Sequence, residues 1–197
     1  MSENRQFASF WDTVRQDARR VGFMVNPCAP LISRLLQVRR AMRHKPGFAC
    51  VFWLRVNQLF VRNKSWRGQY RLRMWRQYRF ANDISPYATI GPGLFLPHPT
   101  DVVIGASATI GKNVTIYNGV TIVGIEIPHL PRLGDNVTVY TGAKIIKSVQ
   151  IGDNSVIGAL TLCNKDVPPN SIMYGIPPNV TIKPNNGPFT ETEPPIR

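Results

Sequence analysis

With 197 residues the chain can hold one large domain or a core domain with a smaller companion, and its 43% hydrophobic content is ordinary for a globular protein. Its formal net charge of +13 is unusual and uneven: residues 1–80 hold 17 of the 24 Lys and Arg but only 3 of the 11 Asp and Glu. Three widely spaced cysteines exclude a disulfide framework, and the longest apolar run, residues 48–54, is far short of the roughly 20 residues that span a bilayer.

The first predicted element is a basic α-helical region over residues 1–80. Its opening, MSENRQFASFWDTVRQ, lacks the apolar core of a signal peptide, so a cytoplasmic location is expected, with peripheral contact at the inner membrane face as one use of the charge. Residues 67–80, RGQYRLRMWRQYRF, set Tyr70, Met74 and Tyr78 four apart with arginines between them, a helical spacing. The basic region has three readings: a solvated face packed on the rest of the molecule or another subunit, a dock for anionic lipid, or a binder of acidic glycan. Nucleic acid is not expected as a partner, because no recognised module is present.

The second predicted element spans residues 81–183, and from residue 84 onward the chain counts in sixes. Ile84, Ile90 and Leu96 form one series; Ile104, Ile110, Ile116 and Ile122 a second; Leu133, Val139, Ile145, Ile151 and Ile157 a third. A helix repeats every 3.6 residues and a strand every 2, so a period of six reads as a short strand plus a corner. Three such units close a triangular coil, and coils stack about 4.8 Å apart, each burying its apolar face on the next. Twelve units predict four coils of a parallel β-helix. The tail, residues 184–197, is Pro-rich and expected to be extended.

The count slips twice. Two extra residues lie between Leu96 and Ile104, and five between Ile122 and Leu133. His98 sits in the first slip and His129 in the second, and insertions in a solenoid leave it as loops. The two corners are one triangle side apart, up to roughly 20 Å, so two neighbouring chains would bring the histidines together more readily than one chain does. That predicts a homotrimer with sites between subunits. Asp83 falls one coil beneath His98 at the same corner, where its carboxylate would hold one ring nitrogen and leave the other free as a base.

Residues 83–105, DISPYATIGPGLFLPHPTDVVIG, resemble the start of the left-handed β-helix in serine acetyltransferases, including the 15-residue step from Asp to His. YTGAKII (140–146), VPPNS (167–171), GIPPNVTIKP (175–184) and, upstream, KPGFACVFWLRVNQLFV (45–61) are similar to that family too. The resemblance implies a mainly β protein, a left-handed parallel β-helix of hexapeptide repeats, acting as an acetyl-CoA-dependent O-acetyltransferase, trimeric or a dimer of trimers. By resemblance His98 is the general base and Asp83 its orienting carboxylate; His129 is read either as a helper from the neighbouring subunit or as a plain loop residue. Gly142, Ala143 and Ala159 would pack the pantetheine arm of acetyl-CoA, and Lys183 would lie near its phosphates. No metal is expected, since His98 and His129 alone do not supply the three histidines of a zinc site on this fold.

Two departures shape the expected acceptor. Pro97 stands where the family has Asp before the base. The second loop, IEIPHLPRL (125–133), is short and has Pro128 where the family has an Arg that grips the serine carboxylate. The short-loop branch resembles acetyltransferases of bacterial surface polysaccharide biosynthesis, such as the colanic acid type, so a sugar hydroxyl of a glycan or small molecule is the expected acceptor. The alternatives are a serine O-acetyltransferase and a non-catalytic trimeric β-helix that docks at a membrane surface.

Overall fold

The computed structural model describes residues 10–124, 130–175 and 181–185. From Asp83 onward these residues form short strands in three sheets. The first stacks β1 (Asp83–Ile84), β3 (Val103–Ile104), β6 (Thr121–Val123), β9 (Lys144–Ile146) and β12 (Leu162–Cys163). The second stacks β2 (Thr89–Ile90), β4 (Thr109–Ile110), β7 (Arg132–Leu133) and β10 (Gln150–Ile151). The third stacks β5 (Thr115–Ile116), β8 (Thr138–Val139), β11 (Val156–Ile157), β13 (Ser171–Tyr174) and β14 (Thr181–Pro184). All pairings are parallel except β13 with β14. This is the β-helix that the six-residue period predicts.

The three series become three inward ladders. Ile84, Ile104, Ile122, Ile145 and Cys163 are in register on one sheet. Ile90, Ile110, Leu133 and Ile151 align on the second, and Ile116, Val139, Ile157 and Met173 on the third. All of these side chains are buried. The stack continues one layer past Ile157, through Cys163, Val167 and Met173. The six-residue count misses that layer because Cys163 is not aliphatic and the step from 163 to 167 is four.

One corner is fixed by asparagine. Asn113, Asn136, Asn154 and Asn170 all hold φ between 55° and 58°, a left-handed conformation that Asn tolerates better than most residues. Their side chains form a column in which each amide donates to the next, at 3.3, 3.0 and 3.0 Å. Gly93 heads the column with φ 80°, and a Cβ there would overlap the Asn113 side chain.

Four helices precede the stack: α1 (Phe10–Arg19), α2 (Leu31–His44), α3 (Pro46–Arg62) and α4 (Trp66–Phe80). Pro46 opens α3, where its missing N–H costs nothing. Cys50, Val51 and Leu54 of α3 enter the same buried cluster as Ile84, Ile90 and Leu96, so helices and first coil share one core.

The hydrogen-bond ladder gives the helices a second task. One side of the first coil's backbone pairs with the second coil, as the Asp83 N–H donates to Val102 and the Ile116 N–H to Phe95, and carbonyls on its other side face the helices. Donor side chains meet them. Arg55 donates to the carbonyls of Ile90 at 2.8 Å and Gly91 at 2.7 Å, Gln58 to that of Ala88 at 3.1 Å, and Arg76 to that of Ile84 at 3.3 Å. Arg55 also pairs with Asp17 of α1 at 2.9 and 3.2 Å, and Asp17 accepts from the backbone N–H of Gly93 and Leu94 at 2.7 and 3.0 Å. Asp17 is 1% exposed and Arg55 4%, so this is a buried ion pair with its remaining capacity filled by backbone.

Removing one partner strands the other without water. Asp17→Ala is expected to lower stability by about 3–5 kcal/mol, read from urea unfolding, while Asp12→Ala on the exposed side of the same helix changes it little.

Candidate functional site

His98 lies on the first slip, at the corner between the third and first sheets, and it is exposed while its neighbours Leu96 and Pro99 are buried. The chain around it is anchored at several points. Phe95 bridges to Thr115, and its N–H donates to Val114 at 2.9 Å. Gly47, in the first turn of α3, sits so close to the Leu96 carbonyl that a Cβ would overlap the oxygen. Asn82 donates to the Pro99 carbonyl at 2.8 Å, and the Asp101 N–H donates to Ala81 at 2.7 Å. Thr100 accepts from the Gly119 N–H at 3.3 Å, returning the backbone to register. The insert is therefore held on both sides, with the imidazole as the group that projects.

Asp83 is where the count placed it, in β1 on the coil beneath, but its carboxylate is not on His98. Arg73 of α4 donates to both of its oxygens, at 2.9 and 3.2 Å. This corrects the expected brace: α4 runs back over the first strand and delivers a guanidinium there. Both side chains are about two-fifths exposed, at 35% and 44%, so the pair is a partly solvated one. Among the described residues the His98 imidazole has no hydrogen-bond partner.

Along the same corner, Tyr117 and Tyr140 stack with ring centroids 5.1 Å apart, and Thr141 donates to Asn118 at 3.2 Å. Gly119, Gly142 and Leu160 form the left-handed column beside them. Of the residues expected along the cofactor arm, Gly142 and Ala159 lie at this corner on successive coils. Ala143 is fully buried in the core, with its N–H donated to Tyr140 at 3.2 Å. Lys183 is on β14, its ammonium 5.3 Å from the centroid of the Tyr174 ring. His129 lies outside the described residues.

Two buried thiols are poor nucleophiles. Burial pushes the Cys163 thiol up to about 12. Burial also raises Cys50, against the opposing pull of Arg76 and Asn82. A thiolate is the reactive form, so neither residue supplies one near neutral pH. Among the described residues no three His, Cys, Asp or Glu side chains gather as metal ligands would.

Sequence reading missed Gly47, Arg73 and Asn82. Gly47 carried a faint signal, a glycine directly after the helix-opening Pro46. Arg73 is one arginine among many in a helix with no polar and apolar sides, and nothing local separates it from its solvated neighbours.

The bacterial transferase hexapeptide family (six repeats) matches residues 131–165. A serine acetyltransferase of Mycobacterium tuberculosis is 43% identical over 101 residues, which is 50% of this chain and 44% of the relative. A Bacillus subtilis serine acetyltransferase is 39% identical over 104 residues, 51% of this chain and 48% of the relative. The chain thus spans about half the length of the curated relatives it matches. Among solved structures, soybean serine acetyltransferase complexed with serine superimposes with a TM-score of 0.73 at 30% identity, over 88% of this chain and 70% of that one. The Neisseria gonorrhoeae enzyme in complex with serine gives 0.72 at 30% identity, over 89% and 68%. These findings overturn the expected sugar hydroxyl and the link to surface polysaccharide: the relatives are serine acetyltransferases, and none of these names a glycan acceptor.

If Gly47 secures the insert, Gly47→Ala must push the Leu96 carbonyl away. The expected result is a loss of about 1–3 kcal/mol in denaturant unfolding, with Gly68→Ala, which meets only a flexible Phe60 ring edge and the Ser65 hydroxyl, costing less.

Proposed function

We propose, for a chain that belongs to the hexapeptide-repeat transferases, an acetyl-CoA-dependent O-acetyltransferase whose acceptor is the hydroxyl of serine. The carrying observation is the exposed imidazole of His98, fixed at the first slipped corner of a β-helix whose solved counterparts are serine acetyltransferases. His98 takes the proton from the acceptor hydroxyl as the oxygen forms its bond to the thioester carbonyl carbon. The carbon–sulfur bond then breaks, and the imidazolium returns the proton to the departing CoA sulfur. A general base of this kind contributes about 10²–10⁴ in rate.

Gly142, with no side chain, and Ala159, with only a methyl, leave room along the corner for the pantetheine arm, with Ala143 supporting them from the core. Lys183 supplies a point charge for the cofactor phosphates. His129 joins the site from a neighbouring subunit in a trimer, since the second slip opens at a different corner.

Pro128 stands where the family's second loop has the arginine for the acceptor carboxylate. Arg73 supports that role instead. Its guanidinium already holds a carboxylate at 2.9 Å, on the residue beside Asn82, which binds the insert. When the acceptor carboxylate takes Arg73, Asp83 is released to hold the His98 ring.

A thiol-release assay with acetyl-CoA tests the assignment. Serine is expected to support turnover, and His98→Ala to lower kcat by about 10²–10⁴ with the fold intact by circular dichroism. Turnover with free sugars alone would refute the serine assignment. For Arg73→Gln the expected change is a rise of about 10–100-fold in KM for serine with KM for acetyl-CoA unchanged, the scale of one lost charge-assisted hydrogen bond.

A further inference from the structure

Helix α2 buries one side only. Val38 and Ala41 face the second hydrophobic cluster, and Arg34 lies over the Trp11 ring at 4.8 Å. The opposite side carries Leu31, Ile32, Leu35 and Leu36, which are 54%, 73%, 47% and 62% exposed. Arg39, Arg40 and Arg43 continue the same stripe and are also exposed. At 100° per residue all seven fall within half of the helix circumference. The stripe is therefore graded along its axis, aliphatic in the first two turns and cationic in the last two. Met24, 69% exposed, precedes it.

Four neighbouring aliphatic side chains in water are a face in search of a partner. The charge around them decides which. Residues 18–82 contain 15 Lys and Arg and no Asp or Glu. A second copy of this face would set its arginines against arginines when parallel or against aliphatic side chains when antiparallel, with no carboxylate between residues 18 and 82 to pair them. An anionic bilayer satisfies both halves of the stripe: lipid phosphates meet the arginines, and the acyl boundary receives the leucines and isoleucine. No helix among the described residues is long and apolar enough to cross a membrane, so the mode is lying on the surface.

We infer that α2 is a peripheral docking face for anionic phospholipid, set by the aliphatic quartet 31, 32, 35 and 36 together with Arg39, Arg40 and Arg43. The inference is independent of the acceptor, because none of these residues is placed in the site.

Vesicle flotation with the full chain tests it. Vesicles of phosphatidylglycerol mixed into phosphatidylcholine are expected to carry the protein, and vesicles of phosphatidylcholine alone to leave it behind. Ile32→Ser/Leu35→Ser/Leu36→Ser and, separately, Arg39→Gln/Arg40→Gln/Arg43→Gln are each expected to weaken binding by about tenfold or more. The aliphatic variant should retain the weaker, salt-sensitive part of the binding. Both sets of positions are exposed, and unchanged circular dichroism and lipid-free acetyl-CoA turnover confirm the fold. Equal flotation of parent and both variants would overturn the inference. So would absence of binding to the anionic vesicles, or a drop in oligomer size in the serine variant without any change in flotation, which would assign the face to another copy.

Discussion

Parallel rungs at the spacing of hydrogen-bonded strands tolerate no extra residue within a face. Each inward aliphatic must stack on the one beneath, or the ladder loses both its apolar contact and its hydrogen bonds. An insertion can therefore leave the stack only at a corner, and it must come back in phase. That constraint explains why the exposed imidazole of His98 sits where it does. Pro97 and His98 leave after Leu96, Thr100 and Asp101 rejoin, and Val103 and Ile104 resume the first sheet over Asp83 and Ile84. The scaffold converts a two-residue slip in sequence into a fixed projection in space.

The corner alone does not immobilise the insert; the helices do. Gly47 brings α3 against the Leu96 backbone, Asn82 holds the far side, and the Asp17–Arg55 pair secures the preceding turn at residues 90–94. These contacts come from three separate elements, yet all close on residues 90–101. The buried pair is costly to desolvate, and its hydrogen bonds to four backbone groups offset that cost while fixing the angle between α1, α3 and the first coil.

Much of the β-helix was legible because a period of six has few other physical explanations. Ile84, Ile104 and Ile122 could be assigned to one ladder before any coordinates, and both slips to their corners. The last layer was hidden by Cys163 and by a shortened step. The asparagine column was also written in the sequence, as Asn two residues after Gly111, Gly134 and Gly152, but it speaks of φ rather than hydrophobicity and so escapes a search for apolar spacing. The exposure of His98 could be read from its position in the slip. The partner of Asp83 could not, because Arg73 lies on a helix whose direction over the first coil depends on packing of α3 and α4. The expected sugar acceptor rested on a single position, Pro128, and one loop residue weighs little against relatives that are serine acetyltransferases along half of this chain.

The carbonyl-capping side chains carry a consequence for self-association. A stack of parallel rungs is a template at each end, and an uncovered terminal rung would recruit another chain into an open-ended filament. At the start, Arg55, Gln58 and Arg76 occupy the outward oxygens. At the finish, β14 turns antiparallel across β13 and breaks the repeat. Part of the N-terminal positive charge thus closes the axis: two arginines and a glutamine amide fill outward oxygens of the first rung, Asp17 takes two of its N–H groups, and no further rung can add there.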